Sequence, residues 1–92
     1  MSSQTTEAPT NTPPKALKPW KVIVHNDDVN TYEHVILSFM QIVKLEPKVA
    51  FEKTVEVDTQ GLSIVAITHK EHAELLQEQL ISTGLTVTIE ST

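Results

Sequence analysis

The sequence predicts an α+β domain of order β-α-α-β-α-β, with three helices packed on one face of a three-stranded sheet. Three observations carry this. Two short runs, Trp20–His25 (WKVIVH) and Leu85–Glu90 (LTVTIE), alternate around β-branched side chains, and a third, Leu62–Thr68 (LSIVAIT), is almost continuously apolar. Between the runs, apolar residues recur at helical spacing in three segments. The two glycines, Gly61 and Gly84, fall where the chain must turn.

Each element has its own signal. The strand Trp20–His25 ends in Asn26-Asp27-Asp28-Val29-Asn30, side chains that bond local backbone groups and favour a loop. Asn30 or Thr31 can cap a first helix, in which Tyr32, Val35, Ile36, Phe39, Met40 and Val43 recur over three to four turns. Leu45-Glu46 interrupts it. Pro47 suits the first position of a second helix, expected to run to about Val57 with Val49, Phe51, Thr54 and Val55 near its apolar side. Asp58-Thr59-Gln60-Gly61 reads as a turn. Leu62–Thr68 reads as a strand buried on both faces or nearly so. Lys70–Thr83 reads as a third helix, with Ala73, Leu76 and Leu80 on one face and Gly84 as its stop.

Ninety-two residues allow one small domain, which buries only about 60% of its unfolded surface. There is no cysteine, so the fold must rest on apolar packing, without disulfides or zinc-thiolate staples. Met1 to Pro19 holds four of the five prolines among Ser, Thr, Gln and Asn, and is expected to be a disordered extension before a core domain spanning 20–92. Twelve acids oppose seven lysines for a net charge of −5, and arginine is absent. Nucleic acid is therefore not an expected partner, since arginine supplies its bidentate contacts. No apolar run approaches the ~20 residues of a membrane span, and the start lacks the features of a signal peptide. A cytoplasmic protein without a membrane partner is the expectation.

Several kinds of chemistry find no support. There is no Gly-rich phosphate loop and no nucleophile elbow around Ser38, Ser63 or Ser82. His69 and His72 stand three apart, and His25 and His34 flank the acidic loop, but no third ligand accompanies either pair. Asp28 to Glu33 lacks the glycine and distal glutamate of a calcium loop. No metal or cofactor is expected. What remains is Asn26-Asp27-Asp28, where two carboxylates and an amide carbonyl precede a helix carrying Tyr32, Val35 and Ile36. Acceptors for a cation beside an apolar wall suit an ammonium with a hydrophobic body, as at a peptide N-terminus with a bulky first residue. The same triplet also serves as an ordinary turn before a helix cap.

The run Lys21-Val22-Ile23-Val24-His25-Asn26-Asp27-Asp28, the helix with Glu33 and Val35, and the later Glu56-Val57-Asp58-Thr59-Gln60-Gly61 resemble the ClpS family of Clp protease adaptors over about Trp20 to Glu90. The resemblance implies an antiparallel sheet and an adaptor, not an enzyme. Such proteins bind substrates with a bulky hydrophobic first residue (an N-degron) and hand them to the unfoldase ClpA or ClpC. By this likeness Asn26, Asp27 and Asp28 would hold the substrate's α-amino group. Asn30, Tyr32, Val35, Thr54 and Leu85 would line the side-chain pocket. Glu71 would dock the unfoldase's N-domain, and the extension would act during delivery. A monomer is expected.

Departures from the family pattern accompany the likeness. Asp58 stands where the family has a histidine that helps bind the amine, Tyr32 and Thr54 replace pocket methionines, and a docking lysine appears as Leu76. Asp58 could accept from the ammonium as a third carboxylate, the three then raising one another's pKa. It could equally be a turn residue in a relative that no longer reads N-termini. Two other readings remain: a factor-recruiting domain like the C-terminal domain of the ribosomal stalk protein, and a hydrolase using Asp27 and Asp58 as paired carboxylates.

Overall fold

A computed structural model describes residues 18–92; most of the proline-rich extension, residues 1–17, lies outside them. Strand β1 (Trp20–His25) is followed by helix α1 (Tyr32–Ser38), which passes into a π-helical turn over Phe39–Val43. Then come helix α2 (Pro47–Gln60), strand β2 (Leu62–Thr68), helix α3 (Lys70–Ser82) and strand β3 (Thr86–Ser91). The sheet is antiparallel in the order β2-β1-β3, so the first strand is central and its two late partners are edges.

The core lies between the sheet and the three helices. Val22, Val24, Val65 and Val87 meet Val35, Phe39, Ala50, Val57, Ala73, Leu76 and Leu80 there. Phe39 and Leu80 are fully buried, and each such side chain stabilises the fold by about 1.5–3 kcal/mol through area removed from water.

Several expectations are corrected. Helix α2 does not stop near Val57 but runs to Gln60, so Asp58 sits on its last turn and not in a separate turn. Asp, Thr and Gln tolerate helical backbone, and the stop is Gly61, whose φ of 90° and N–H bond to the Val57 carbonyl close the helix in the left-handed region. The core face of α2 is Ala50, Thr54 and Val57, whereas Phe51 is half exposed. Strand β2 is an edge, with Leu62 and Ile67 exposed; its apolar run reflects one buried face and one uncovered face. The register shift opposite Val22 and Ile23 leaves Val65 as the unpaired extra residue of β2, a bulge in this edge strand whose side chain lies in the core.

The first helix also departs from a uniform α-helix. The Ser38 hydroxyl donates to the His34 carbonyl at 2.8 Å, a side-chain bond that competes with the backbone ladder where the π-helical turn begins. Lys44 ends that turn with φ 68°. Leu76 is buried in the core, so it cannot present a docking surface in place of a lysine.

Candidate functional site

The loop after β1 is held by its own side chains. The Asn26 N–H donates to the Gly61 carbonyl at 3.0 Å, which ties the end of β1 to the turn after α2. Asp28 adopts φ 60°, a conformation that aspartate tolerates better than most residues. Its N–H donates to the Asn26 side-chain oxygen at 3.1 Å, and the Val29 N–H donates to Asp27 Oδ1 at 3.1 Å. These are two successive Asx turns.

A second set of bonds fixes the loop to the turn before β3, at the same end of the sheet. The Asn30 amide nitrogen donates to Asp27 Oδ2 at 2.9 Å and Oδ1 at 3.2 Å, and to the Gly84 carbonyl at 3.2 Å. Thr31 caps α1 by accepting from the His34 N–H. The His34 ring donates from Nε2 to the Thr83 carbonyl at 2.7 Å. The start of α1 is thus bound to the turn between α3 and β3.

These constraints enclose a cavity of about 240 Å³. Asn26, Asp27, Asp28 and Asp58 line it, as do Asn30, Tyr32, Val35, Thr54 and Leu85. The nine positions come from three separate segments of the chain, and the fold brings all of them to one place. Glu71 lies elsewhere, in a shallow groove with Trp20, Lys70 and Glu74, where the Lys70 ammonium sits 5.3 Å from the Trp20 ring centroid.

The cavity has further walls that the sequence reading missed: Val24, His25 and Val57. Val57 was within reach, being three residues after Thr54 on the same helical face. Val24 points inward from the last residues of β1, as strand alternation from Val22 requires. His25 has no comparable signal; its ring nitrogen pairs with the Thr88 hydroxyl at 2.7 Å.

The polar side chains around the cavity have largely spent their donors. The Asn26 amide donates to Asp28 Oδ1 at 3.2 Å, the Thr54 hydroxyl to the Ala50 carbonyl at 2.8 Å, and the Tyr32 hydroxyl to Asp58 Oδ2 at 2.6 Å. With Asn30 committed as described, what these side chains still offer is mainly acceptor oxygen, beside one remaining N–H of the Asn26 amide. The carboxylates differ, however. Asp27 accepts at both oxygens, with Thr86 adding a longer bond of 3.4 Å. Among the described residues, Asp28 and Asp58 each retain an oxygen without a donor.

Mutual repulsion of the carboxylates does not dominate at Asp27. Desolvation pushes its pKa up, but the Val29 N–H, the Asn30 amide, the Asn30 N–H and the Thr86 hydroxyl together outweigh it and hold the carboxyl below its ordinary value. This corrects the expectation of a raised pKa there. The Tyr32 phenol is shifted up by its hydrogen bond to Asp58, then by desolvation and by the Asp58 charge. It therefore stays protonated, and a donor, at neutral pH. Asp27, saturated with donors and held below its ordinary value, is poorly suited to be the acid of a paired-carboxylate hydrolase.

Comparison with known proteins bears on this arrangement. The family described as ATP-dependent Clp protease adaptor protein ClpS matches residues 15–88. Adapter proteins of that name are similar over most of the chain. That of Thermosynechococcus vestitus is 42% identical over 69 residues, covering 74% of this chain and 73% of its own. That of Synechococcus elongatus is 36% identical over 92 residues, covering 98% of this chain and 97% of its own. The fold is similar to the structure of Agrobacterium tumefaciens ClpS2 bound to L-phenylalaninamide, with a TM-score of 0.79 and 20% identity over 82% of this chain and 98% of that one.

Proposed function

The chain belongs to the ClpS family of Clp protease adaptors, substrate adaptors and not enzymes, and from that premise we propose that its cavity binds the N-terminus of proteins whose first residue is bulky and hydrophobic. The observation that carries this reading is the pairing of carboxylate acceptors with an apolar interior. In the proposal, Asn26 Oδ1, Asp28 and Asp58 accept from the α-ammonium. Asp27 adds negative charge and holds the loop in shape.

The first side chain enters among Val24, Val35, Val57 and Leu85, beside Thr54 and the Tyr32 ring. A cavity of about 240 Å³ is smaller than the roughly 300–1,000 Å³ typical of drug-sized ligands, which suits one side chain and little more. The structural neighbour's ligand, L-phenylalaninamide, has the same two features, a free amine and a hydrophobic side chain, and supports the reading.

Delivery is the second half of the proposal. Glu71 and its groove lie apart from the cavity and would dock the N-domain of a ClpA- or ClpC-type unfoldase, leaving the substrate site free. The extension Met1–Pro19 would take part in that transfer, in the cytoplasm and with the adaptor as a monomer. No helix among the described residues is long and apolar enough to cross a membrane.

The test is fluorescence anisotropy with labelled peptides that begin with Phe or Leu, and with an N-acetylated Phe peptide. Binding of the free-amine peptides alone is expected. Equal binding of the acetylated peptide removes the amine site, and binding of none removes the N-terminal reading.

A further inference from the structure

Asp58 occupies a position that stability alone does not favour. It sits on the last turn of α2, where the unpaired carbonyls carry partial negative charge and disfavour a carboxylate. Among the described residues its one hydrogen-bond donor is the Tyr32 hydroxyl, 2.6 Å away on the first turn of α1. The two residues are far apart in sequence and both line the cavity.

We infer that Tyr32 is a positioning residue: its hydroxyl holds the Asp58 carboxylate over the cavity by Oδ2 and leaves Oδ1 to receive the α-ammonium of a bound chain. The inference rests on the amine-binding reading above and assigns the phenol a role beyond forming a wall. An exposed aspartate on a helix end samples several rotamers, and ordering it on binding costs affinity. A short bond from a rigid aromatic side chain removes that cost beforehand. The bond is also charge-assisted, the stronger class of hydrogen bond. The phenol is a donor at neutral pH, since its ordinary pKa of about 10 is moved further up beside Asp58.

Ring and hydroxyl make separable contributions. The ring bounds the cavity whether or not the hydroxyl is present, so Tyr32→Phe keeps the wall and deletes only the strut. Asp58→Asn keeps an oxygen able to accept from the phenol but loses the charge that attracts an ammonium.

The experiment is a titration of free-amine peptides beginning with Phe and with Leu against the full chain, Tyr32→Phe, Asp58→Asn and the double variant, with melting curves for each. Tyr32→Phe is expected to bind both peptides about tenfold more weakly, by the same factor, as loss of one charge-assisted positioning bond implies. Asp58→Asn is expected to lose at least as much, and the double variant no more than Asp58→Asn alone. Unchanged binding by Tyr32→Phe overturns the inference. So does a change in the Phe-to-Leu ratio in place of a common loss, or a double variant whose loss is the sum of the two. If the unsubstituted chain binds neither peptide, the amine-site reading fails first and this inference falls with it. That result is distinguishable because it appears before any substitution is made.

Discussion

Removing the Asn30 amide by Asn30→Ala should unfasten the acidic loop from both ends of its support. The nitrogen bridges Asp27 and the Gly84 carbonyl, at 2.9 and 3.2 Å from the two carboxylate oxygens and 3.2 Å from the carbonyl. A hydrogen bond to a charged group contributes about 1.5–3 kcal/mol and a neutral one about 0.5–1.5 kcal/mol. Water reaches this loop and recovers part of both, so the lower ends apply, about 2 kcal/mol together. In a domain of this size each 1 kcal/mol moves the melting temperature by about 4–8 °C, so a fall of about 8–16 °C is expected by circular dichroism.

The pH dependence supplies a second readout. Desolvation raises the Asp27 pKa, but its donors, Asn30 among them, outweigh that and hold it below the ordinary value. The unfolded chain therefore takes up this proton at higher pH than the native one. The stability contributed by Asp27 is present above the unfolded pKa, about 3.9, and is lost as pH falls through the depressed folded value. In Asn30→Ala that acid-side loss should shrink. A melting temperature within about 4 °C of the unsubstituted chain, with the same acid limb, would refute the reasoning.

Three other outcomes are expected. Asp28→Asn, which tolerates the left-handed backbone and keeps an oxygen for the Asn26 amide, should fold normally and bind free-amine peptides about tenfold more weakly by anisotropy. Leu80→Ala, at a fully buried position, should cost about 2–5 kcal/mol in urea unfolding with little change in m. Glu71→Lys should leave peptide affinity unchanged and weaken association with a ClpA- or ClpC-type unfoldase in a pull-down; loss of peptide binding would contradict the separation of the two surfaces.

Much of the fold was legible because local signals agreed with one another. The alternation of WKVIVH and the spacing of Ala73, Leu76 and Leu80 each specify one element and its buried face, and β1 and α3 form within a residue of where those patterns place them. The boundaries that failed lacked such agreement. Asp58-Thr59-Gln60 has turn-like composition, yet the helix continues until Gly61 supplies the left-handed residue that ends it. Phe51 has the hydrophobicity of a core residue but lies off the Ala50–Thr54–Val57 face, which only packing against the sheet selects.

The site was legible by likeness more than by physics. Asn26-Asp27-Asp28 is visible as a cluster, but its internal division of labour depends on where Asn30 and Thr86 place their donors. The Tyr32–Asp58 bond joins two helices, and no periodicity in the sequence encodes a contact of that kind. Tyr32 and Thr54, where the resemblance implies pocket methionines, both make hydrogen bonds here, so the chemistry of this cavity follows from its geometry.

The most direct test of the central claim is an amide chemical-shift titration of the isotopically labelled chain with a free-amine peptide beginning with Phe. The account predicts that the largest changes fall at Val24, Asn26, Asp28, Thr54, Val57 and Asp58, with little at Glu71, and that the acetylated peptide produces none of them. Changes concentrated along the Trp20–Glu71 groove, or the same changes with the acetylated peptide, would contradict it.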